Sequence, residues 1–162
     1  MPPRLPVPTR SAGRRLAAVL ASAALLPAAG GAWARCRFLM PIGGSGEPVV
    51  QKRISGDRLV GRTNWNTDFA VTQGFSSYRV NLQSASTARG NFPVAVFLRF
   101  TDGSSLQLVN STLTLNPNEE HRFGPFPAVS GKRTSQVNVR VGSSKMPGAT
   151  GFSYRLSVEG CE

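Results

Sequence analysis

The sequence is poor in the residues that most enzymes and metalloproteins use. Its 162 residues include one histidine, two cysteines and eight acidic residues. Zinc sites take three or four protein ligands, mostly nitrogen and sulfur, so one histidine cannot form such a site once the cysteines are paired. The acidic residues are scattered and show no sign of the paired carboxylates of a glycosidase. We therefore expect no metal site and no cofactor.

His121 is the residue that a Ser–His–Asp hydrolase would need. No Gly-x-Ser-x-Gly motif accompanies it, and the segment Glu119–Arg122 is typical of an exposed loop. Asp102 before Gly103 is typical of a tight turn rather than of a calcium site. Gly43–Gly46 lacks the Gly-Lys-Ser/Thr ending of a phosphate-binding loop. The sequence therefore indicates a protein that is not an enzyme.

The first 34 residues have the pattern of a secretion signal. Arginines at positions 4, 10, 14 and 15 precede the apolar stretch Leu16–Leu26, and no acidic residue occurs there. This stretch is shorter than the roughly 20 residues that span a bilayer. Ala32 and Ala34 supply the small residues of a cleavage site. We expect removal of residues 1–34, export to the periplasm or extracellular space of a bacterium, and one domain over residues 35–162 with no transmembrane segment.

The two cysteines, Cys36 and Cys161, lie near the two ends of that domain. An isolated pair of cysteines in an exported protein predicts a disulfide. The arginine directly before Cys36 departs from the small residue that lipoproteins carry there. The sequence contains no Cys-x-x-Cys motif, which would have indicated redox chemistry. The predicted role of the pair is a structural bond between the N- and C-terminal ends.

Apolar and polar residues alternate with a period of two in several segments, which is the pattern of half-buried β-strands. The clearest are Ser77–Gln83, Phe92–Phe100, Gln136–Val141 and Phe152–Val158. The polar segment Asn64–Asp68 is predicted as a loop. Short strands with turn sequences between them predict an all-β fold, an antiparallel β-sandwich of jelly-roll-like type.

The last third of the chain resembles a known family. The alternating valines of Gln136–Val141, a glycine-containing loop and a final strand with Tyr154, Leu156 and Val158 are similar to the closing two strands of bacterial pre-peptidase C-terminal domains. The resemblance implies a small extracellular jelly-roll-like sandwich, which attaches secreted enzymes to substrate or serves as an accessory module. No protease domain accompanies it here.

Basic residues outnumber acidic ones. Four of the 19 basic residues and none of the eight acidic residues lie in the first 34 positions, which leaves a net charge of +7 over residues 35–162. Such a charge favours polyanionic neighbours such as acidic polysaccharide, lipopolysaccharide or nucleic acid, and it equally fits simple solubility.

Polar side chains on the strand faces opposite the predicted core are the candidate binding residues. If their strands are neighbours, arginines and amides form a surface that can bind sulfate, phosphate or uronate groups. The alternative is a solvated outer sheet face. The side chain of Trp65 can stack on a sugar ring, or it can plug the end of the sandwich with its indole N–H bonded to a loop carbonyl. The candidates are Arg79, Arg99, Asn138, Arg140, Arg155 and Trp65.

The sequence thus favours a non-enzymatic binding or envelope-associated module that recognises an acidic glycan or another polyanion. The alternative is a structural or interaction protein, such as an inhibitor or a surface-assembly subunit. It would bind another protein through exposed hydrophobic residues near Phe123 and Phe126. Nucleic acid is not the expected partner, because the outer faces offer few stacking aromatics.

Overall fold

The structure is a computed structural model that describes residues 35–56, 63–143 and 145–162. The expected secretion signal, residues 1–34, lies outside the described residues. No helix in the described ranges is long and apolar enough to cross a membrane. The elements in these ranges are β1 (Cys36–Phe38), β2 (Met40–Pro41), β3 (Val50–Arg53), β4 (Asn66–Ala70), β5 (Ser77–Ser84), β6 (Gly90–Phe100), β7 (Ser105–Leu115), β8 (Glu120–Pro127), β9 (Thr134–Val141), a 3-10 turn (Pro147–Ala149) and β10 (Ser153–Cys161).

The described strands form two antiparallel sheets that pack face to face. In sheet A the order is β3-β10-β5-β8, and β1 continues the edge of β10 that β3 occupies. In sheet B the order is β2-β4-β9-β6-β7. Strands β3 to β10 thus occupy the positions of an eight-stranded jelly roll, and β1 and β2 extend its edges. The predicted all-β, jelly-roll-like sandwich is confirmed.

Alternation along the strands explains why the sheets pack. Every second residue of the central strands is apolar, and burial of each such side chain stabilises the fold by about 1.5–3 kcal/mol relative to its exposure. The core therefore determines which side of each strand faces outward. The largest fully buried side chains are Tyr78, Val80, Leu82, Tyr154 and Leu156 in sheet A, and Phe69, Phe92, Val96, Leu98, Val137, Val139 and Val141 in sheet B.

The N-terminal segment connects the two sheets at one side of the sandwich. The N–H of the buried residue Leu39 donates to the carbonyl of Val158 in sheet A at 2.8 Å. The next two residues, Met40–Pro41, pair with β4 of sheet B. The chain therefore changes sheets at Leu39, and its side chain enters the core at that point.

Lys52 makes a second connection at the same side. Its Nζ atom, carried by β3 of sheet A, donates to the carbonyl of Asn66 and to Oγ1 of Thr67, each at 2.8 Å, on β4 of sheet B. Burial lowers the pKa of Lys52, and the negative charge of Asp68 raises it in part. The ammonium group of Lys52, which has three N–H donors, thus provides hydrogen bonds to two acceptors of β4 at this side of the sandwich.

The predicted disulfide is present. Cys36 lies directly opposite Cys161 in the β1–β10 register, and their sulfur atoms are bonded. The bond joins residues that are 125 positions apart, so it restricts nearly the whole described chain in the unfolded state.

Replacement of both cysteines, Cys36→Ser with Cys161→Ser, should lower the free energy of unfolding by about 4–5 kcal/mol. The reason is the loop-closure entropy that the unfolded chain regains, which is large for so long a loop. Urea denaturation of the oxidised protein and of the variant measures the difference. A loss below about 1 kcal/mol would show that the disulfide adds little to the β1–β10 pairing.

Candidate functional site

The outer face of sheet B brings together several of the candidate residues. In the β6–β9 register, Phe97 lies opposite Asn138 and Arg99 lies opposite Gln136. Arg140 follows Asn138 by two positions on β9 and therefore points to the same side of the sheet. These side chains face outward because the residues between them on each strand fill the core.

An open cleft of about 590 Å³ runs over this face, and we call it the β6–β9 cleft. Arg99 and Arg140 contribute to its lining, and Phe97 lies between them. The partner of Arg140 on β6 is Ala95, four residues from Arg99, so the two arginine positions are about 13 Å apart along the strands. The other lining residues include Asn66, Ser104, Ser105, Ser135 and Gln136.

Asn138 forms the floor of the cleft rather than a free binding group. Its side chain is buried, with 1% of its surface exposed. Its Nδ2 donates to the Asp68 Oδ1 at 2.8 Å, across the β4–β9 pair. The amide of the candidate Asn138 is therefore bonded to Asp68, the acidic residue of β4, and is not free to bind a ligand.

Arg99 and Arg140 are exposed, and within the described residues neither guanidinium forms an ion pair. The ion pairs among the described residues lie elsewhere, and they join Arg37 to Glu162, Arg122 to Glu120 and Lys132 to Asp102. Two guanidinium groups without an ion pair in one cleft can bind an anionic group, since a guanidinium binds carboxylate, sulfate or phosphate through two parallel hydrogen bonds.

The remaining two arginines lie on the opposite surface of the molecule. Arg79 and Arg155 point outward from β5 and β10 of sheet A, so they do not join Arg99 and Arg140. Arg79 lies opposite Glu159 in the β5–β10 register, and the Arg155 Nη1 donates to the Gln83 Oε1 at 3.4 Å. The structure therefore divides the expected polar surface in two, because β5 and β9 belong to different sheets.

Trp65 adopts the plug geometry. Its indole N–H donates to the carbonyl of Ser55 at 2.9 Å, and its half-buried ring packs against the core. The ring also covers Gly142, where an added Cβ would lie 2.5 Å from the Trp65 Cδ1. Trp65 also lines a small pocket together with Arg140 and Lys145, and Arg140 is shared between this pocket and the β6–β9 cleft.

The other groups considered for chemistry are engaged structurally. His121 lies in β8 rather than in the expected exposed loop, and its half-buried ring packs edge-to-face on Phe123 at 4.5 Å. The Asp102 Oδ1 accepts from the Ser104 backbone N–H at 2.9 Å, which confirms the turn-forming role. Hydrogen bonds from Lys132, then from Ser104, hold the pKa of Asp102 well below its ordinary value. No group of three or more His, Cys, Asp or Glu side chains suited to a metal occurs among the described residues.

The hydrophobic residues expected on the surface near Phe123 and Phe126 are half-buried against the core. The expectation that they are exposed is therefore wrong, since β8 turns both rings toward the sandwich interior. Among the described residues, the strongly exposed large hydrophobic side chains are those of Phe38, Met40, Ile42, Val49 and Leu106.

No protein-family model matches the chain, and no curated protein sequence matches it. The resemblance to pre-peptidase C-terminal domains therefore stays a prediction.

Gly142→Ala should lower the free energy of unfolding by about 3 kcal/mol, because the methyl group would collide with the Trp65 ring in addition to straining the backbone. The φ angle of Gly142 is +125°. Gly103→Ala is the matched control, since Gly103 also has a positive φ, +82°, but has open space around its Cβ position.

The control should cost only about 1 kcal/mol, and both values are measured by urea denaturation. Equal losses for the two variants would contradict the close packing of Trp65 on Gly142. In a Trp65→Leu background, Gly142→Ala should lower the free energy of unfolding by less than it does in the wild type, because the ring with which the methyl group collides is absent.

Proposed function

We propose that this protein is an exported, non-enzymatic binding module whose β6–β9 cleft recognises an acidic glycan or a similar polyanion. The observation that supports the proposal is the pair of exposed guanidinium groups, Arg99 and Arg140, that flank Phe97 without a carboxylate partner among the described residues. An unpaired exposed arginine costs little in water, and it binds anionic groups through a planar fork of N–H donors.

The shape of the cleft favours an extended ligand. The two arginine positions are about 13 Å apart along the strands, and Phe97 lies between them. A chain that carries acidic groups at intervals meets this spacing. Between them the exposed part of Phe97 offers an apolar surface on which a sugar ring can lie. The amides of Asn66 and Gln136 and the nearby serine hydroxyls can bond the sugar hydroxyl groups.

The disulfide supports an exported location. Disulfides form and persist in the periplasm and outside the cell, and they are rare in the cytosol. The Cys36–Cys161 bond supports export, in agreement with the signal that residues 1–34 resemble. The net charge of +7 over residues 35–162 would draw the protein toward acidic polymers of the envelope before the cleft engages.

A protein partner is the second candidate. Exposed apolar side chains lie at the side of the sandwich where the N-terminal segment changes sheets, namely Phe38, Met40, Ile42 and Val49. A contact formed by these residues would be apolar, and it would therefore resist salt, whereas binding through Arg99 and Arg140 would weaken steeply as ionic strength rises.

Arg99→Gln with Arg140→Gln should weaken binding to polygalacturonate at least about 10-fold, or about 1.4 kcal/mol, because the charged hydrogen bonds in the cleft are lost. The measurement is equilibrium binding of the oxidised protein at low ionic strength, followed by elution from an immobilised acidic polysaccharide across a salt gradient. Neutral dextran serves as the uncharged polymer.

Arg79→Gln with Arg155→Gln is the matched control, since it removes the same charge from the outer face of sheet A. This control should weaken binding by less than about 3-fold. Equal weakening by the two double variants would reduce the interaction to bulk charge and overturn the cleft as the site. Binding that survives high salt and both double variants would favour the apolar contact instead.

A further inference from the structure

A β-sandwich has sheet edges whose backbone groups can pair with another strand, and most edges of this one are blocked. At one side, β1 and β3 are three and four residues long, β3 carries Lys52 and Arg53, and β2 has two residues, one of them proline. At the other side, the sheet A edge is β8, which contains Pro125 and Pro127. Short length, charge and proline are the features that prevent edge-to-edge pairing.

Strand β7 is the edge that lacks these features. It is 11 residues long, Ser105–Leu115, and contains no charged residue and no proline. A bulge at Leu108 interrupts its register with β6, and Val109–Leu115 then continues without interruption. This segment is uncharged although residues 35–162 carry a net charge of +7, so it is a place where two copies can approach without direct repulsion.

The hydrogen bonds of β6 show which β7 groups point outward. The Gly142 N–H donates to the Pro93 carbonyl at 2.8 Å, so the backbone of Pro93 faces β9. Thr112 lies opposite Pro93 in the β6–β7 register. Antiparallel pairs alternate between bonded and non-bonded, so the N–H and C=O groups of Thr112 point away from β6. The same holds two residues away on each side, at Asn110 and Thr114.

We propose that two copies of this chain pair antiparallel through the free edges of β7. A two-fold axis near Thr112 places this residue opposite Thr112 of the second copy and places Asn110 opposite Thr114 of the second copy. All the outward backbone groups of these residues are then matched, with about six hydrogen bonds. Threonine and asparagine side chains are exposed along this edge and suit cross-strand contacts.

A second copy fits this edge because the pairing closes on itself. A two-fold pair uses the same strand of both copies, and the blocked edges elsewhere leave no other free edge strand among the described residues for further growth. The result is a dimer with one continuous sheet of ten strands, formed from the two copies of sheet B. Its contact area is small, so we expect a dissociation constant between about 1 µM and about 1 mM.

Pairing through β7 also determines where the two clefts lie, a consequence that rests on the proposed function. Residues opposite each other in an antiparallel pair point to the same side of the sheet, so both copies of the β6–β9 cleft open on one face. The two β9 strands are five strand spacings apart, about 24 Å. One long acidic polymer can therefore occupy both clefts, while a short oligomer occupies one.

The test is sedimentation equilibrium of the oxidised protein over about 1 µM to about 1 mM, without any ligand. We expect a monomer–dimer equilibrium that Thr112→Pro weakens at least about 10-fold, because proline removes an outward N–H without removing a β6–β7 hydrogen bond. Thr112→Ala, which keeps this N–H, is the matched control and should change the dissociation constant less than about 3-fold.

Amide hydrogen exchange of the wild type gives a readout that does not depend on a variant. The N–H groups of Asn110, Thr112 and Thr114 should exchange slowly at high protein concentration and rapidly at low concentration, whereas those of Ser111 and Leu113, bonded to β6, should stay slow at both. A monomer at all concentrations would overturn the proposal. A dimer in which the three outward amides exchange rapidly at all concentrations would also overturn it, because another surface would then be in use.

The outcomes for edge and cleft are distinguishable. A protein that dimerises but does not bind acidic polysaccharide refutes the proposed function alone, and a monomer that binds through Arg99 and Arg140 refutes the β7 pairing alone. If both hold, Thr112→Pro should reduce the affinity for long polygalacturonate at least about 10-fold and leave the affinity for a short oligogalacturonate unchanged.

Discussion

The fold depends on the pairing of its last strand. Strand β10 lies inside sheet A, with β1 and β3 along one edge and β5 along the other. These neighbours come from the beginning and the middle of the described chain, so sheet A cannot be complete until the C-terminal strand is in place. The Cys36–Cys161 bond makes this long-range pairing permanent at the point where β1 and β10 are in register. Contacts of such separation are entropically costly to form, which is why a covalent bond between these two strands is an effective stabilisation.

The core in turn determines the chemistry of the outer faces. The inward positions of β6 and β9 are occupied by Val96, Leu98, Val137 and Val139, which are fully buried. With a period of two, every residue between them must point outward. The arginines of the cleft are therefore presented by two interior strands of sheet B rather than by loops. Asn138 adds a side-chain hydrogen bond to this pairing, since its bond to Asp68 links the cleft floor to β4.

Periodicity predicted the strands and their outward faces, but it could not assign strands to sheets. Gln136–Val141 and Ser77–Gln83 have equally clear alternation, and nothing in either segment indicates that β9 joins sheet B while β5 joins sheet A. For this reason the sequence predicts a shared surface for Arg140 and Arg79 only on the condition that their strands are neighbours. The segment Asn64–Asp68 was predicted as a loop because its residues are polar. Its last three residues, Asn66–Asp68, instead begin β4, since Thr67 and Phe69 alternate inward and Lys52 donates to the carbonyl of Asn66.

The proposed pairing through β7 and the proposed binding in the β6–β9 cleft would depend on different interactions, which would respond oppositely to salt. Pairing along β7 depends on backbone hydrogen bonds between uncharged segments, so added salt would favour it slightly by screening the repulsion between two basic copies. The proposed recognition of a polyanion through Arg99 and Arg140 would be weakened by the same salt. A polyanion that occupies both clefts also neutralises the charge that keeps the copies apart. Ligand binding and pairing through β7 would therefore reinforce each other most strongly at low ionic strength, and the coupling would weaken as ionic strength rises, because screening removes its electrostatic part and leaves the part due to bridging.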